Sequence, residues 1–594
     1  MSPAACRHPA LLAVALMALL RACDPGSSPA PTTDSDERFD HVRVRTWRAD
    51  DASWPPELRD PELAVPWLAE RPSFGIAFSG GGSRSATATL GQLRALHRLG
   101  WLKKARWVGA SSGSTWTLIP WVYLPTSHDE TIFLGPYLPP EALTEATLRP
   151  ETPVKGAMET VLHDARIGRP LLRSSLRGDE TWSGLIGSVF LAPFGLNDRD
   201  QVFTFHREAR DRILAANPQL RTDDILVVER RDRPYPVLIG TLLVRQTSNR
   251  PDDRHPLELT PLATGLRPRV ETTKDDERVV LGGGQVETFG YDSYEPDPVE
   301  AGPDGRVRVR LEGSLRRGEL RSNDRYRFTL SDLIGVSSAA PAAGMVGHHV
   351  PNELFPEHRH WPVDPVDRSR PFRRKADEYV HADGGVLDNL GVLPLLARRA
   401  ESLLVFINTS VPFVRPADGC GAVTAGGDDD DPPATFVDDL ISLFRPTRKL
   451  PHNVVFDGDG LERICETFSE QQARGEPLVH CERYAVAANA RYGIAPHEAS
   501  TCWMYLDRST RWTSAITADG KRTAALADGT SPFDTFPHYD TFTEQTATPI
   551  DLDRERVVAL TNLTAWSVLE RAETIREALP DAGLSSLPST PGER

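Results

Sequence analysis

From Phe74 to Gly100 the chain passes from an apolar run, FGIAF, through the glycines of SGGGSR. It then enters a segment whose leucines, Leu90, Leu93, Leu96 and Leu99, return at near-helical spacing until Gly100 stops them. A short run that is apolar throughout suits a buried strand, so the stretch reads as strand, glycine turn, helix. Such a turn presents backbone N–H groups at the positive end of a helix, where they attract an anion or a developing negative charge. GGGSR has neither the G-x-x-x-x-G-K-[ST] of a phosphate loop nor G-x-G-x-x-G. An oxyanion hole on Gly81 and Gly82 fits it better than a nucleotide site.

An oxyanion hole needs a nucleophile, and the next apolar run supplies candidates. ARWV leads into GASSGSTW, a strand that ends in small residues around a serine, as a tight strand-to-helix elbow requires. Two serines compete there. Gly109-Ala110-Ser111-Ser112-Gly113 is a literal G-x-S-x-G and names Ser111, while Ala110-Ser111-Ser112-Gly113-Ser114 obeys the same small-x-Ser-x-small logic and names Ser112. Much later, EYVHADGG is a β-rich run that closes on Asp383 and two glycines, a strand end able to aim a carboxylate outward. An isolated Asp-Gly-Gly is ordinarily only a turn, so Asp383 takes its meaning from the other two motifs.

Composition narrows the function classes. The 594 residues carry a net charge of -15, from 68 Lys+Arg against 83 Asp+Glu, spread along the chain. Nucleic acid is therefore disfavoured as a partner, because phosphate binding needs clustered cations. Fifty prolines and 44 glycines with no recurring period point away from a helical bundle or a repeat and toward one elaborated domain with long connections.

Taken together, SGGGSR after a strand, SGSTW at the elbow and HADGGVLDNLG (His381 to Gly391) resemble the patatin-like and cytosolic phospholipase A group of lipid acyl hydrolases. Supporting stretches are YPVLIGTLL (Tyr235 to Leu243), PLELTPLATG (Pro256 to Gly265), GVSSAAPAAG (Gly335 to Gly344) and LLVFIN (Leu403 to Asn408), so the resemblance covers roughly residues 71 to 410. It implies a three-layer α/β/α sandwich with a mainly parallel central sheet, lid insertions and a C-terminal extension. It also implies a Ser–Asp dyad without histidine, an acyl-enzyme, no cofactor or metal, and a phospholipid or lysophospholipid substrate met at a membrane surface. The interval from Arg84 to Ser112, and Val108 four residues before Ser112, match the family and favour Ser112 over Ser111 as nucleophile, with Asp383 as base. Arg84 is placed either to hold a substrate phosphate or to pair with an acidic neighbour. Two alternatives stay open: a Ser-His-Asp triad drawing on His480, His497 or His538, and a non-catalytic lipid-binding protein on the same fold.

The N-terminus reads as a targeting segment. Arg7 and His8 precede ALLAVALMALL (Ala10 to Leu20), which is too short to span a bilayer but suits a signal-peptide core. The run ends in LRAC, which resembles the lipoprotein box of bacteria and makes Cys23 a lipidation site; a plain signal peptide cut nearby is the alternative. Exported and tethered to a membrane, the chain then divides into a signal peptide (1–23), a flexible linker and N-terminal extension (24–70), and the catalytic domain (71–410). A mobile acidic loop region (411–450) and a C-terminal extension packed on the catalytic domain (451–594) follow. The Pro/Ser/Thr-rich DPGSSPAPTTDSDE (Asp24 to Glu37) cannot pack. Cys420, Cys465, Cys481 and Cys502 can pair in three ways or stay as buried thiols. FLGPYLPP (Phe133 to Pro140) and FLAPFGL (Phe190 to Leu196) suit either an interfacial lid or the core.

Overall fold

The apolar runs become the centre of one large sheet. In the computed structural model the described residues are 38–48, 60–165, 181–245, 250–274, 276–296, 306–311, 327–340, 356–363, 376–423, 434–540, 542–543, 548–549 and 551–585. The signal-peptide run, Cys23, the linker 24–37 and the aspartate-rich Gly426 to Pro433 lie outside them.

Thirteen strands make the sheet. In chain order they are β1 (His41–Arg48), β2 (Phe74–Phe78), β3 (Trp107–Ser111), β4 (Tyr235–Leu243), β5 (Arg254–Leu259), β6 (Ala263–Gly265) and β7 (Gly284–Glu287). Then come β8 (Arg306–Arg310), β9 (Glu357–His360), β10 (Asp377–Asp383), β11 (Ser402–Ile407), β12 (Leu478–Val486) and β13 (His497–Tyr505). The path runs β8-β1-β7-β6-β5-β4-β3-β2-β11-β13-β12, with β10 paired to β4 and β9 to β10. The five consecutive strands β4, β3, β2, β11 and β13 are mutually parallel. The outer pairs on both sides are antiparallel. Every residue of β2, β3, β4 and β11 is buried, as strands covered by helices on both faces must be. The protein is thus an α/β sandwich with a mainly parallel centre. Its sheet also draws on His41–Arg48 and on residues 478–505, outside the 71–410 segment.

Helix α1 (Gly82–Leu99) follows β2, α2 (Thr115–Val122) follows the turn after β3, and α3 (Leu330–Ser337) packs beside β4. Helix α4 (Leu393–Ala397) lies between β10 and β11, α5 (Asp438–Ser442) follows β11, and α6 (Arg554–Glu570) runs along α1. Helix α2 contains Pro120 and ends two residues later, as a helix that has lost a backbone donor should. The fit of α6 on α1 is close: a Cβ at Gly91 would stand 2.1 Å from the Thr561 carbonyl oxygen.

Strand β4 brings the distant motifs together. Its first half pairs with β3, placing Ser111 opposite Ile239, and its second half pairs with β10, placing Asp383 opposite Gly240. Strand β10 therefore takes over from β3 along the same edge of β4. The end of each strand arrives at neighbouring positions, although Ser112, the residue after β3, and Asp383 lie 271 residues apart.

Two disulfides select one of the three pairings. Cys420–Cys465 ties the turn before α5 to the helix Gly460–Ala473, and Cys481–Cys502 joins directly opposed residues of β12 and β13. The two candidate lid stretches belong to the core, because Phe133, Leu134, Phe190, Leu191, Phe194 and Leu196 are all buried.

Candidate active site

Ser112 stands where β3 ends. Ser111 is still extended, with φ -134°, whereas Ser112 has φ +52°, a left-handed conformation that a non-glycine residue holds only at a cost on the order of 1 kcal/mol. The turn is pinned by the Ser114 hydroxyl, which donates to the carbonyls of Phe78 and Ser111, and by Thr115 Oγ1, which donates to the carbonyl of Ser112. Small neighbours are obligatory here. A Cβ at Gly113 would lie 2.1 Å from the Gly82 carbonyl oxygen, and one at Gly80 would lie 2.8 Å from Ser112 Cβ.

The strained turn directs Ser112 Oγ to donate a hydrogen bond of 2.7 Å to Asp383 Oδ2. The other carboxylate oxygen accepts the Gly385 N–H at 2.7 Å, and the Asp383 carbonyl accepts from Thr241 Oγ1 at 2.8 Å. Ser112 is 8% exposed and Asp383 is 4% exposed. Burial pushes the Asp383 carboxyl up to about 6, against the opposing pull of the bonds from Ser112 and Gly385. A carboxylate near neutrality in direct contact with a hydroxyl can accept its proton far more readily than an exposed aspartate.

The competing serine is placed differently. Ser111 is fully buried, and its Oγ makes no hydrogen bond. Each candidate histidine is also committed elsewhere. His480 bonds Thr467 and Glu482, His497 bonds the Ala495 carbonyl, and His538 bonds Asp507 and the Thr409 carbonyl. Among the described residues none of the three is bonded to Ser112 or Asp383. The histidine closest in sequence to the carboxylate, His381, is buried against Tyr291 and the Tyr379 carbonyl, and burial holds its pKa well below the usual histidine range.

The glycine turn lies against this pair. Gly81 has φ +135° and Gly82 φ +55°, and the two open α1, so the turn is available to glycine and strained for other residues. It is held by Asn408, whose N–H donates to Ser79 Oγ at 2.7 Å and whose side chain exchanges hydrogen bonds with the Gln92 amide. Gly80 N–H donates to the Asn389 carbonyl at 2.8 Å. Arg84, read as placed either to hold a substrate phosphate or to pair with an acidic neighbour, is buried. It is 5% exposed, its Nε donates to the Asn408 carbonyl at 3.1 Å, and its Nη1 donates to the Tyr539 carbonyl. Burial lowers its pKa to about 10, against the opposing pull of the Asp540 charge. The guanidinium thus ties the first turn of α1 to the backbone of Asn408 and Tyr539.

Sequence reasoning missed Asn389, Asn408, Gln92 and Asp439. Asn389 lies inside the HADGGVLDNLG motif, Asn408 ends LLVFIN and Gln92 lies on the helix after the glycine turn, but nothing local marked these side chains; Asp439 sits in an unremarkable stretch.

The fold and this pair define an α/β protein with a serine and an aspartate joined at a strand-to-helix turn. No protein-family model and no curated protein sequence matches the chain. Among solved structures it is similar to human GIVD cytosolic phospholipase A2, at 15% identity over 88% of this chain and 62% of that one, with a TM-score of 0.42. It is also similar, at 15% identity and a TM-score of 0.38, to the same enzyme in complex with methyl gamma-linolenyl fluorophosphonate, over 92% of this chain and 70% of that one. A further structure with that inhibitor and terbium chloride matches at 15% identity and a TM-score of 0.38, over 91% and 66%. The chain thus spans 62% of the length of the first of these structures.

Proposed function

We propose that the protein is a serine acyl hydrolase that cleaves fatty-acyl esters of phospholipids or lysophospholipids through a Ser112–Asp383 dyad. The observation that carries this is the 2.7 Å contact between Ser112 Oγ, on a left-handed strand-to-helix turn, and the buried Asp383 carboxylate. The Asp383 carboxylate takes the Ser112 proton as Oγ attacks the ester carbonyl, and the N–H groups of Gly81 and Gly82 hold the oxyanion. Collapse breaks the ester bond, Asp383 returns its proton to the departing alkoxide, and the acyl group remains on Ser112. Water then gives a proton to Asp383 and attacks the acyl-serine; the fatty acid leaves and Ser112 Oγ regains the proton. The choice of a lipid ester is supported by the motif resemblance of SGGGSR, SGSTW and HADGGVLDNLG.

An alkyl fluorophosphonate tests the nucleophile directly. The expected result is one covalent phosphonyl adduct on the peptide that contains Ser112; a native, folded protein that stays unmodified would return the chain to the non-catalytic alternative.

The site of action is part of the same proposal. Cys23, lipidated after cleavage, would hold the domain at a membrane of the exporting cell through the linker that follows it. Cys23→Ser is then expected to move the protein into the soluble fraction while hydrolysis of a soluble short-chain ester is kept. Retention on membranes after a carbonate wash would show instead that Ala10 to Leu20 is an uncleaved anchor. Among the described residues no helix is long and apolar enough to cross a membrane.

A further inference from the structure

Between the two turns of the site stands one residue, Asn389, whose side chain neither motif reading used. Asn389 accepts the Gly80 N–H on its backbone carbonyl at 2.8 Å. Its side-chain oxygen fills the space beside both glycine turns, 2.2 Å from where a Cβ of Gly80 would stand and 2.7 Å from where one of Gly385 would stand. Those same two points lie 2.8 Å from Ser112 Cβ and 3.0 Å from Asp383 Oδ1. Asn389 therefore sits between the turn that carries the proposed oxyanion donors and the turn that carries the base.

What orients the amide comes from much later in the chain. Asn389 Nδ2 donates to Asp439 Oδ2 at 3.2 Å, from the first turn of α5. A carboxylate offers acceptors there, so the amide must turn its NH₂ toward Asp439, which leaves its oxygen facing Gly80 and Gly385. Helix α5 is anchored in turn. The Val437 N–H donates to Tyr505 Oη on β13 at 3.2 Å. Asn453, itself held by Tyr492 Oη, donates to the Leu387 carbonyl at 2.6 Å in the turn between Asp383 and Asn389. Burial, with Asp438 and Asp388 nearby, pushes the Asp439 carboxyl up to about 7, so a neutral acceptor in its place changes little.

We infer that Asn389, held in one orientation by Asp439, is a positioning residue that sets the spacing between the Gly80–Gly82 turn and the Asp383–Gly385 turn, and that the region beyond β11 is thereby part of the catalytic machinery. This rests on the Ser112–Asp383 reading. A displacement of either turn by a fraction of an ångström misplaces base and oxyanion donors relative to Ser112 Oγ, an effect felt in the chemical step more than in substrate binding.

The test is the pair Asp439→Leu and Asp439→Asn beside Asn389→Ala, assayed on a soluble short-chain ester, with thermal melting to verify folding and Ser112→Ala as control. Asn389→Ala and Asp439→Leu are expected to lower kcat about 10- to 100-fold with KM within about threefold of the parent. Asp439→Asn, which still accepts the amide hydrogen bond, is expected to keep at least about a third of kcat, and Asn389→Ala combined with Asp439→Leu to be no slower than Asn389→Ala alone. A folded Asp439→Leu protein with kcat within about threefold of the parent, or an Asp439→Asn protein as slow as Asp439→Leu, overturns the inference. Should Asn389→Ala fail to fold, the two Asp439 variants decide alone. Activity in Ser112→Ala would sink the function reading and this inference with it; an inactive Ser112→Ala with a fully active Asp439→Leu sinks only the inference.

Discussion

Ser112→Ala is expected to lower kcat/KM for a short-chain ester by about 10⁴-fold or more and to abolish labelling by an alkyl fluorophosphonate, while Ser111→Ala leaves both nearly intact. The two hydroxyls are adjacent in sequence and opposite in circumstance. Ser112 Oγ points from a left-handed turn onto Asp383, and its removal deletes the bond-forming atom. Ser111 Oγ is buried with no hydrogen bond, so its loss relieves a desolvated hydroxyl and is expected to leave stability equal or slightly higher. Steady-state kinetics with both variants separates them, and the reverse pattern would transfer the nucleophile to Ser111.

Asp383→Asn is expected to be about 10³-fold slower or worse and, unusually for a buried substitution, at least as stable as the parent. The carboxyl is raised from 3.8 to about 6 by burial, so the folded state binds a proton more tightly than the unfolded chain. Between those two values stability falls as pH rises, and above about 6 the fold carries a charge whose burial costs about 3 kcal/mol, a cost the neutral amide avoids. The asparagine oxygen can still accept the Gly385 N–H, so the turn has no reason to collapse. The same shift sets the pH profile. A base must be ionised, so kcat/KM should rise with pH through about 6 and level off above it, with the rise missing from the residual rate of Asp383→Asn. Chemical denaturation and a pH–rate series check both halves; a variant that is both inactive and strongly destabilised would make Asp383 a structural residue.

Much of this architecture is local and was therefore legible. FGIAF, WVGA, YPVLIGTLL and LLVFI are apolar on both faces, which only a helix-covered central strand tolerates, and each is a strand of the buried centre. Gly80 and Gly113 mark close approaches where a Cβ would clash, and Gly81 and Gly82 hold positive φ that other residues rarely adopt. Other features are relations between distant segments and left no local trace. The stretches 133–140 and 190–196 are apolar without helical period, which suits core and lid equally, and only their neighbours place them in the core. Arg84 follows the glycines, where a substrate phosphate and an acidic neighbour were equally open as partners, and only the fold shows its guanidinium bonded to the carbonyls of Asn408 and Tyr539, hundreds of residues away.

By itself, then, the order of residues determined the central buried strands and where the turns need glycine, and it named Ser111, Ser112 and Asp383 as the groups worth bringing together, because periodicity and side-chain volume act over a few residues. Tertiary structure decided the rest. Which serine meets the carboxylate follows from the register of β3 and β10 on β4, where a slip of one residue sends a side chain to the opposite face of the sheet. Which cysteines join, and that Asp439 orients Asn389 between the two turns, follow from contacts across the fold, and such contacts are energies of the packed chain that no short stretch of sequence contains.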